Sequence, residues 1–257
     1  MPFTLSHAVL APILARVSKQ TLPLAALAIG CMLPDLYRLF VTDAGRIAHS
    51  WSGQIYPNLF IGLGFCALWY LIYRPMLYRL FNLIDPIQIY NLFSAFKFIV
   101  CMLIALLVGN ATHILWDGLT HVDFRTLILH DFLSQPVHWF GSGYPLHFIL
   151  QITSSVAALP LLGYWIMRYI QRYHVSDLHS FTLRAVIAAI FALATLLAAY
   201  WSYDYLTQFP LQALQQHRYY FIGRAFNEFS QIFLLLSTFA LTILSIWQQL
   251  FRDKYQL

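Results

Sequence analysis

Apolar residues in this chain come in long blocks separated by short polar breaks, and five of the blocks are long enough to cross a bilayer. A helix needs about 20 apolar residues to traverse a hydrocarbon core of about 30 Å. The blocks run approximately Tyr56–Tyr73, Phe98–Trp116, Phe148–Tyr169, Ala185–Tyr203 and Phe229–Leu250. Without water to satisfy peptide groups, each block must close its own hydrogen bonds, which predicts helices. Tyr and Trp stand at the block ends (Tyr56, Tyr73, Trp116, Tyr169, Tyr200, Trp201), where amphipathic rings settle at the membrane–water boundary.

The first 34 residues follow a shorter rhythm. Ser6 reads as the N-cap of a helix from His7 to about Val17, and the polar run Ser18–Thr21 breaks it. A second short helix is predicted from Pro23 to Leu33, with Pro34 ending it. About a dozen residues rising about 1.5 Å each cannot cross a bilayer unaided. The expected unit is a helical hairpin, re-entrant or lying on the membrane surface, whose ends His7 and Asp35 emerge side by side. The apolar run Leu24–Leu33 has the length of a signal-peptide core, but its approach is too long, so the hairpin is expected to stay in the mature chain. Residues 120–146 and 203–227 read as irregular linkers. The predicted architecture is therefore all-α: one integral membrane domain over 1–257, with the hairpin over 1–34 and a transmembrane bundle over about 56–250.

Composition removes the soluble alternative. Hydrophobic residues make up 60% of the chain and charged ones 10%, against about 25% charged in soluble domains. The net charge of +5 does not signal nucleic-acid binding, because basic residues sit singly or in pairs beside apolar blocks, as at Arg74 and Arg79, Arg168 and Arg172, and Arg252 and Lys254. The expected partner is the lipid bilayer. Cys31, Cys66 and Cys101 lie inside apolar stretches without ligand spacing and read as small buried hydrophobes.

The stretch His113-Ile-Leu-Trp-Asp117-Gly-Leu-Thr-His121 carries the candidate chemistry. Positions i, i+4 and i+8 share one helical face. An imidazole and a carboxylate so spaced can reach one divalent ion, and Zn²⁺ accepts mixed nitrogen and oxygen ligands. Ionisable groups at the end of an apolar helix must be paired or neutralised, and a metal does both. The competing reading is a His113–Asp117 hydrogen bond within a helix bundle. Counting spans puts His7, Asp35, His49, Asp117, His121 and His147 on one membrane side, which favours the metal. His130, Asp131 and His138 read as solvated linker residues, Asp123 and Arg125 as a loop pair, and Gln151 as a hydrogen-bond partner of a ligand histidine or a helix–helix contact. Asp204 and Glu228 read as caps of the last two spans.

These residues also carry a resemblance. The opening Met1-Pro-Phe-Thr-Leu-Ser-His7-Ala8, the run Gly30-Cys-Met-Leu-Pro-Asp35, His49-Ser50, the His113–His121 stretch and Gln151-Ile-Thr-Ser-Ser155 resemble a bacterial membrane protein family, domain of unknown function 4184. The same skeleton is similar to the YdjM-like inner-membrane proteins, named as membrane-bound metal-dependent hydrolases, and distantly to the zinc-dependent phospholipases C. Residue by residue, the resemblance implies metal ligands at His7, Asp35, His49, His113 and Asp117, more loosely at His121, with Asp35 and Asp117 as catalytic carboxylates. It implies one or two zinc ions, a phosphoester of a lipid or lipid-linked substrate, and the bacterial inner membrane. Those phospholipases continue with a His-x-x-x-Glu. Here His147 is followed by Gln151, whose neutral amide binds zinc poorly, so a third metal is not expected and both residues become outer partners of the ligands. Paired ions about 3.5–4 Å apart would activate water and clamp a phosphoester. Two readings stay open: a metal-dependent hydrolase, and a non-catalytic bundle or small transporter with a structural metal or none. Basic residues divide almost evenly between the two faces. Those closest to spans favour the face opposite the site as cytoplasmic, which would put the site on the extracytoplasmic side.

Overall fold

The computed structural model describes residues 4–41, 45–139 and 141–255; Met1–Phe3, at the start of the resemblance motif, lie outside them. Two short apolar helices open the chain, α1 over Thr4–Val17 and α2 over Leu24–Tyr37. Five long ones follow: α3 Trp51–Leu80, α4 Leu92–Thr120, α6 Leu146–Tyr173, α7 Phe181–Thr207 and α9, whose apolar part is Arg218–Phe251. Short helices α5 (His130–Leu133) and α8 (Leu211–Gln216) lie between them. Each of the five is long and apolar enough to cross a membrane, and each extends several residues beyond the apolar block that announces it. The protein is an all-α, multi-pass membrane protein with an N-terminal helical hairpin.

Local departures from expectation have local causes. Ser6 is not an N-cap but a residue of the first helical turn, where its hydroxyl meets that of Ser155 at 3.5 Å. Pro34 does not end α2, which continues to Tyr37. Proline removes one rung of the helical ladder and usually bends rather than severs a helix held from outside. Tertiary bonds to that turn hold it here, among them one from His113 to the carbonyl of Cys31. The 120–146 linker is more ordered than its composition suggests, holding α5 and a two-stranded hairpin, β1 (Pro136–Trp139) against β2 (Ser142–Pro145). The 203–227 linker is largely helical. Asp204 lies in the last turns of α7, and Glu228 lies inside α9, 3.5 Å from Arg224 one turn earlier, so neither is a cap.

The chain forms two compact units. The first comprises Met1–Cys66 and Ile87–Gln171. Its centre is the packing of α2 on α4, where glycines let the backbones touch. A Cβ on Gly30 would stand 2.7 Å from the carbonyl oxygen of Leu106, and one on Gly109 would stand 2.6 Å from that of Leu27. In lipid, such close approach replaces the hydrophobic drive that soluble helices use. Buried amides lock the same region: Asn58 donates to the carbonyl of Ala48 at 2.7 Å and to Asn110 Oδ1 at 3.2 Å.

The second unit comprises Ala67–Pro86 and Arg172–Leu257. Tyr73, Met76, Ile187 and Leu241 form its core. The Tyr73 hydroxyl lies 2.7 Å from the Ser237 hydroxyl and 2.9 Å from that of Thr238, and Arg74 forks onto Asp85. Cys31 and Cys66 are buried and Cys101 partly so, all as free thiols.

Candidate metal centre

The first unit brings five of the six expected ligands into two overlapping groups that share His113. Helix α1 supplies His7, the last turn of α2 supplies Asp35, the turn before α3 supplies His49, and the final turns of α4 supply His113 and Asp117. His7, His49, His113 and Asp117 are 1–3% exposed.

Hydrogen bonds on the far side of two rings fix what they present. His113 Nδ1 lies 2.8 Å from the carbonyl oxygen of Cys31, and His49 Nδ1 lies 3.0 Å from that of Gly45. A carbonyl only accepts, so Nδ1 carries the proton, and in the neutral ring Nε2 keeps its lone pair. Backbone carbonyls orient metal-binding histidines in this way. The Nε2 atoms of His7, His49 and His113 are all buried, and none has a hydrogen-bond partner among the described residues. Buried polar atoms are rarely left so, and each costs about 1–3 kcal/mol unless a ligand satisfies it.

Carboxylate oxygens face these nitrogens at distances too long for good hydrogen bonds. Asp35 Oδ1 is 3.5 Å from His49 Nε2, and Asp117 Oδ2 is 3.5 Å from His113 Nε2 and 3.7 Å from His49 Nε2. Asp117 Oδ1 is 3.9 Å from His7 Nε2. Ligands about 2.0–2.2 Å from a tetrahedral zinc stand about 3.3–3.6 Å from each other. The spacing therefore matches, or slightly exceeds, the edges of a zinc coordination shell. Ligand atoms of His7, Asp35 and His113 lie within 4.8 Å of one another, as do those of His49, His113 and Asp117. His113 belongs to both sets, and one nitrogen lone pair serves one ion. The His7 and His113 rings also stack, with centroids 3.8 Å apart. Burial, and then His113 beside it, holds His7 well below the usual imidazole range, so it is neutral. Burial alone would raise Asp35, but the interaction with His49 outweighs it and holds the carboxyl well below its usual range. The donor set is thus three imidazoles with two carboxylates, a set of nitrogen and oxygen ligands that fits a divalent ion.

His121 stands apart from both sets. Its Nδ1 lies 3.2 Å from the backbone carbonyl of Asp117 and 3.6 Å from the Oδ1 of that residue, closing the end of α4. Burial, against the pull of Asp117, pushes its imidazole down to about 4. Among the described residues, His147 and Gln151 make no hydrogen bond to a ligand side chain. Gln151 donates to the carbonyl of Thr120 at 2.6 Å and lies 3.3 Å from His147 Nδ1, so it caps α4 from α6. His130 and His138 are exposed in the linker.

Arg125 enters the cluster from outside its expected pairing. It forks onto Asp123, Nε to Oδ1 at 3.0 Å, and its Nη1 also reaches Asp117 Oδ2 at 3.1 Å. The chain folds back over α4 to allow this, with Leu127 N–H donating to the carbonyl of Gly118 at 3.0 Å. A Cβ on Gly118 would meet Leu127 Cγ at 2.4 Å. The Asp117–Gly118 pair was the available signal, but no spacing rule predicts a return of that kind.

These features define a class: a multi-pass helical membrane protein with a buried histidine–aspartate cluster at the end of one of its apolar helices. The sequence profile described as Domain of unknown function (DUF4184) matches residues 1–246, and the chain belongs to that family. No curated protein and no solved structure matches it.

Proposed function

We propose that the chain is a membrane-bound metal-dependent hydrolase of a phosphoester, using one zinc ion held by His7, His49, His113 and Asp117. The observation that carries this reading is the set of three buried Nε2 atoms, each 3.5–3.9 Å from an oxygen of Asp117 and none with a hydrogen-bond partner among the described residues. The resemblance to the YdjM-like hydrolases, and more distantly to zinc-dependent phospholipases C, supports the same reaction class, and a membrane location suits a lipid or lipid-linked substrate. Zinc supplies, when bound, a Lewis acid for a phosphoryl oxygen and for water. The protein's own part is to hold and orient. Carbonyls of Cys31 and Gly45 keep two rings in the ligating tautomer. Asp117 balances the charge between the rings. The Asp35 carboxylate, with a side chain 10% exposed and its Oδ1 3.5 Å from His49 Nε2, would be placed to accept a hydrogen bond from the attacking water.

A structural-metal reading draws on the same burial, because closed four-ligand sites serve folding rather than turnover. Elemental analysis of purified protein, followed by hydrolysis of a chromogenic phosphodiester, separates the cases. The proposal expects about one zinc per chain, lost in His113→Ala and reduced in Asp35→Ala, with turnover that depends on zinc. Wild-type protein without metal, and with a fold indifferent to both changes, would overturn it. Stoichiometric zinc without turnover of any phosphoester would leave the structural role.

A further inference from the structure

We propose that Arg125, with Arg38 and Arg46, forms the receptor for the phosphoryl anion of the substrate at the mouth of the metal centre. This inference rests on the metal reading above and names what that site recognises. Arg125 reaches the cluster directly through Asp117, and Arg38 approaches the other carboxylate, its Nη1 3.8 Å from Asp35 Oδ1. That second pair is loose, and the Arg38 side chain is 39% exposed, so its donors are available to a ligand. Arg46 has no carboxylate within ion-pair distance among the described residues; its guanidinium lies 5.2 Å from the Phe124 ring centroid. Arg125 lies 5.6 Å from the same ring. The two guanidinium groups therefore lie beside one ring, one of them held by Asp117 and Asp123 and the other exposed.

Charge supports the same assignment. Among the described residues, the stretches 35–49 and 117–125 contain three carboxylates, Asp35, Asp117 and Asp123, and three arginines, Arg38, Arg46 and Arg125, which balance. A divalent ion adds two positive charges to this balance, so the mouth attracts an anion when the centre is loaded. An arginine has five N–H donors, of which Arg125 spends three on Asp117 and Asp123, and guanidinium forks match phosphoryl oxygens in geometry. The surroundings are those of a lipid boundary. Phe124, Ile128, Leu129 and Phe132, in the segment that follows an apolar membrane-length helix, are 45–57% exposed. A phosphoryl group can reach this mouth on a lipid headgroup or as a free phosphate.

The test is calorimetric titration of zinc-loaded protein in detergent with inorganic phosphate, with dioctanoyl phosphatidic acid and with dioctanoylglycerol as the uncharged control, zinc content being measured on every sample. Phosphoryl ligands are expected to bind and the uncharged lipid to bind at least tenfold more weakly. Arg125→Ala should weaken phosphoryl binding about tenfold with zinc retained, and Arg125→Lys should recover part of the loss. Arg46→Ala, at an exposed position, should weaken it about threefold and keeps the test available if Arg125→Ala does not fold. Binding of both phosphoryl ligands points to a free phosphate source, binding of the lipid alone to a headgroup, and either supports the inference. Unchanged affinity in zinc-loaded Arg125→Ala, or loss of its zinc, overturns it. Zinc-loaded wild type that ignores phosphoryl ligands overturns this inference alone; wild type without zinc overturns the metal reading and takes this one with it.

Discussion

His113 donates its Nδ1–H to the backbone carbonyl of Cys31 at 2.8 Å, joining two helices and setting the tautomer of a candidate ligand in one contact. The contact lies in the turn that α2 completes through Pro34. Helix packing and metal chemistry are therefore coupled here: any change that parts α2 from α4 also releases the His113 ring.

Gly109→Ala tests that coupling. Its Cβ would meet the carbonyl oxygen of Leu27 at 2.6 Å and the amide nitrogen of Cys31 at 2.7 Å, backbone atoms that cannot step aside. Overpacking of this kind costs about 1–3 kcal/mol. The expected result is a lower thermal midpoint in detergent together with reduced zinc content. Gly64→Ala, where an added Cβ meets nothing within 4 Å, should change neither.

The ligand assignment distinguishes neighbouring histidines. His7→Ala and His49→Ala should each strip zinc, because both remove an unpartnered Nε2 that faces Asp117. His121→Ala should keep it, because Nδ1 of that ring is engaged with the end of α4. Zinc loss in His121→Ala as complete as in His49→Ala would mean that the assignment is wrong.

Acid should destabilise the metal-free protein. His121 titrates at about 4 when folded, against about 6.5 in an unfolded chain. Between those values the unfolded state binds a proton that the native state refuses, so stability falls as pH falls through that window. His7 is shifted in the same direction. Burial alone would raise Asp123, but the hydrogen bonds from Arg125 take it down to about 2, so its contribution is complete above about 3.9 and is lost as pH drops towards about 2. Thermal midpoints between pH 7 and pH 4.5 should decline, less steeply in His121→Gln. A flat or rising profile would contradict the burial of these rings in their neutral form.

Gln151→Leu separates helix capping from ligation. The substitution leaves the Thr120 carbonyl without its 2.6 Å donor, at a cost of about 1–3 kcal/mol for a buried unsatisfied group. Stability should drop while zinc content holds. Metal loss without destabilisation would place Gln151 among the ligands' supports instead.

Much of the fold was legible because its signal is local. Apolar block length alone predicted five spans, and the short blocks around Ser18–Thr21 predicted a hairpin. Proline misled at position 34, and composition misled in the 120–146 and 203–227 linkers, because tertiary contacts can extend a helix or order a loop that local propensity would end.

The sequence by itself determined that the chain lives in a membrane, which segments cross as helices, and that His113 and Asp117 share a helical face, since hydrophobic period and residue spacing need no knowledge of distant neighbours. Only the tertiary structure decided that His7 and His49 turn their Nε2 atoms towards that face, that His121 and Gln151 meet backbone carbonyls at the end of α4, and that Arg125 reaches Asp117. Those outcomes depend on ångström-scale approach between segments far apart in the chain, at Gly30 against Leu106 and Gly118 against Leu127, and on which backbone carbonyl each ring finds there.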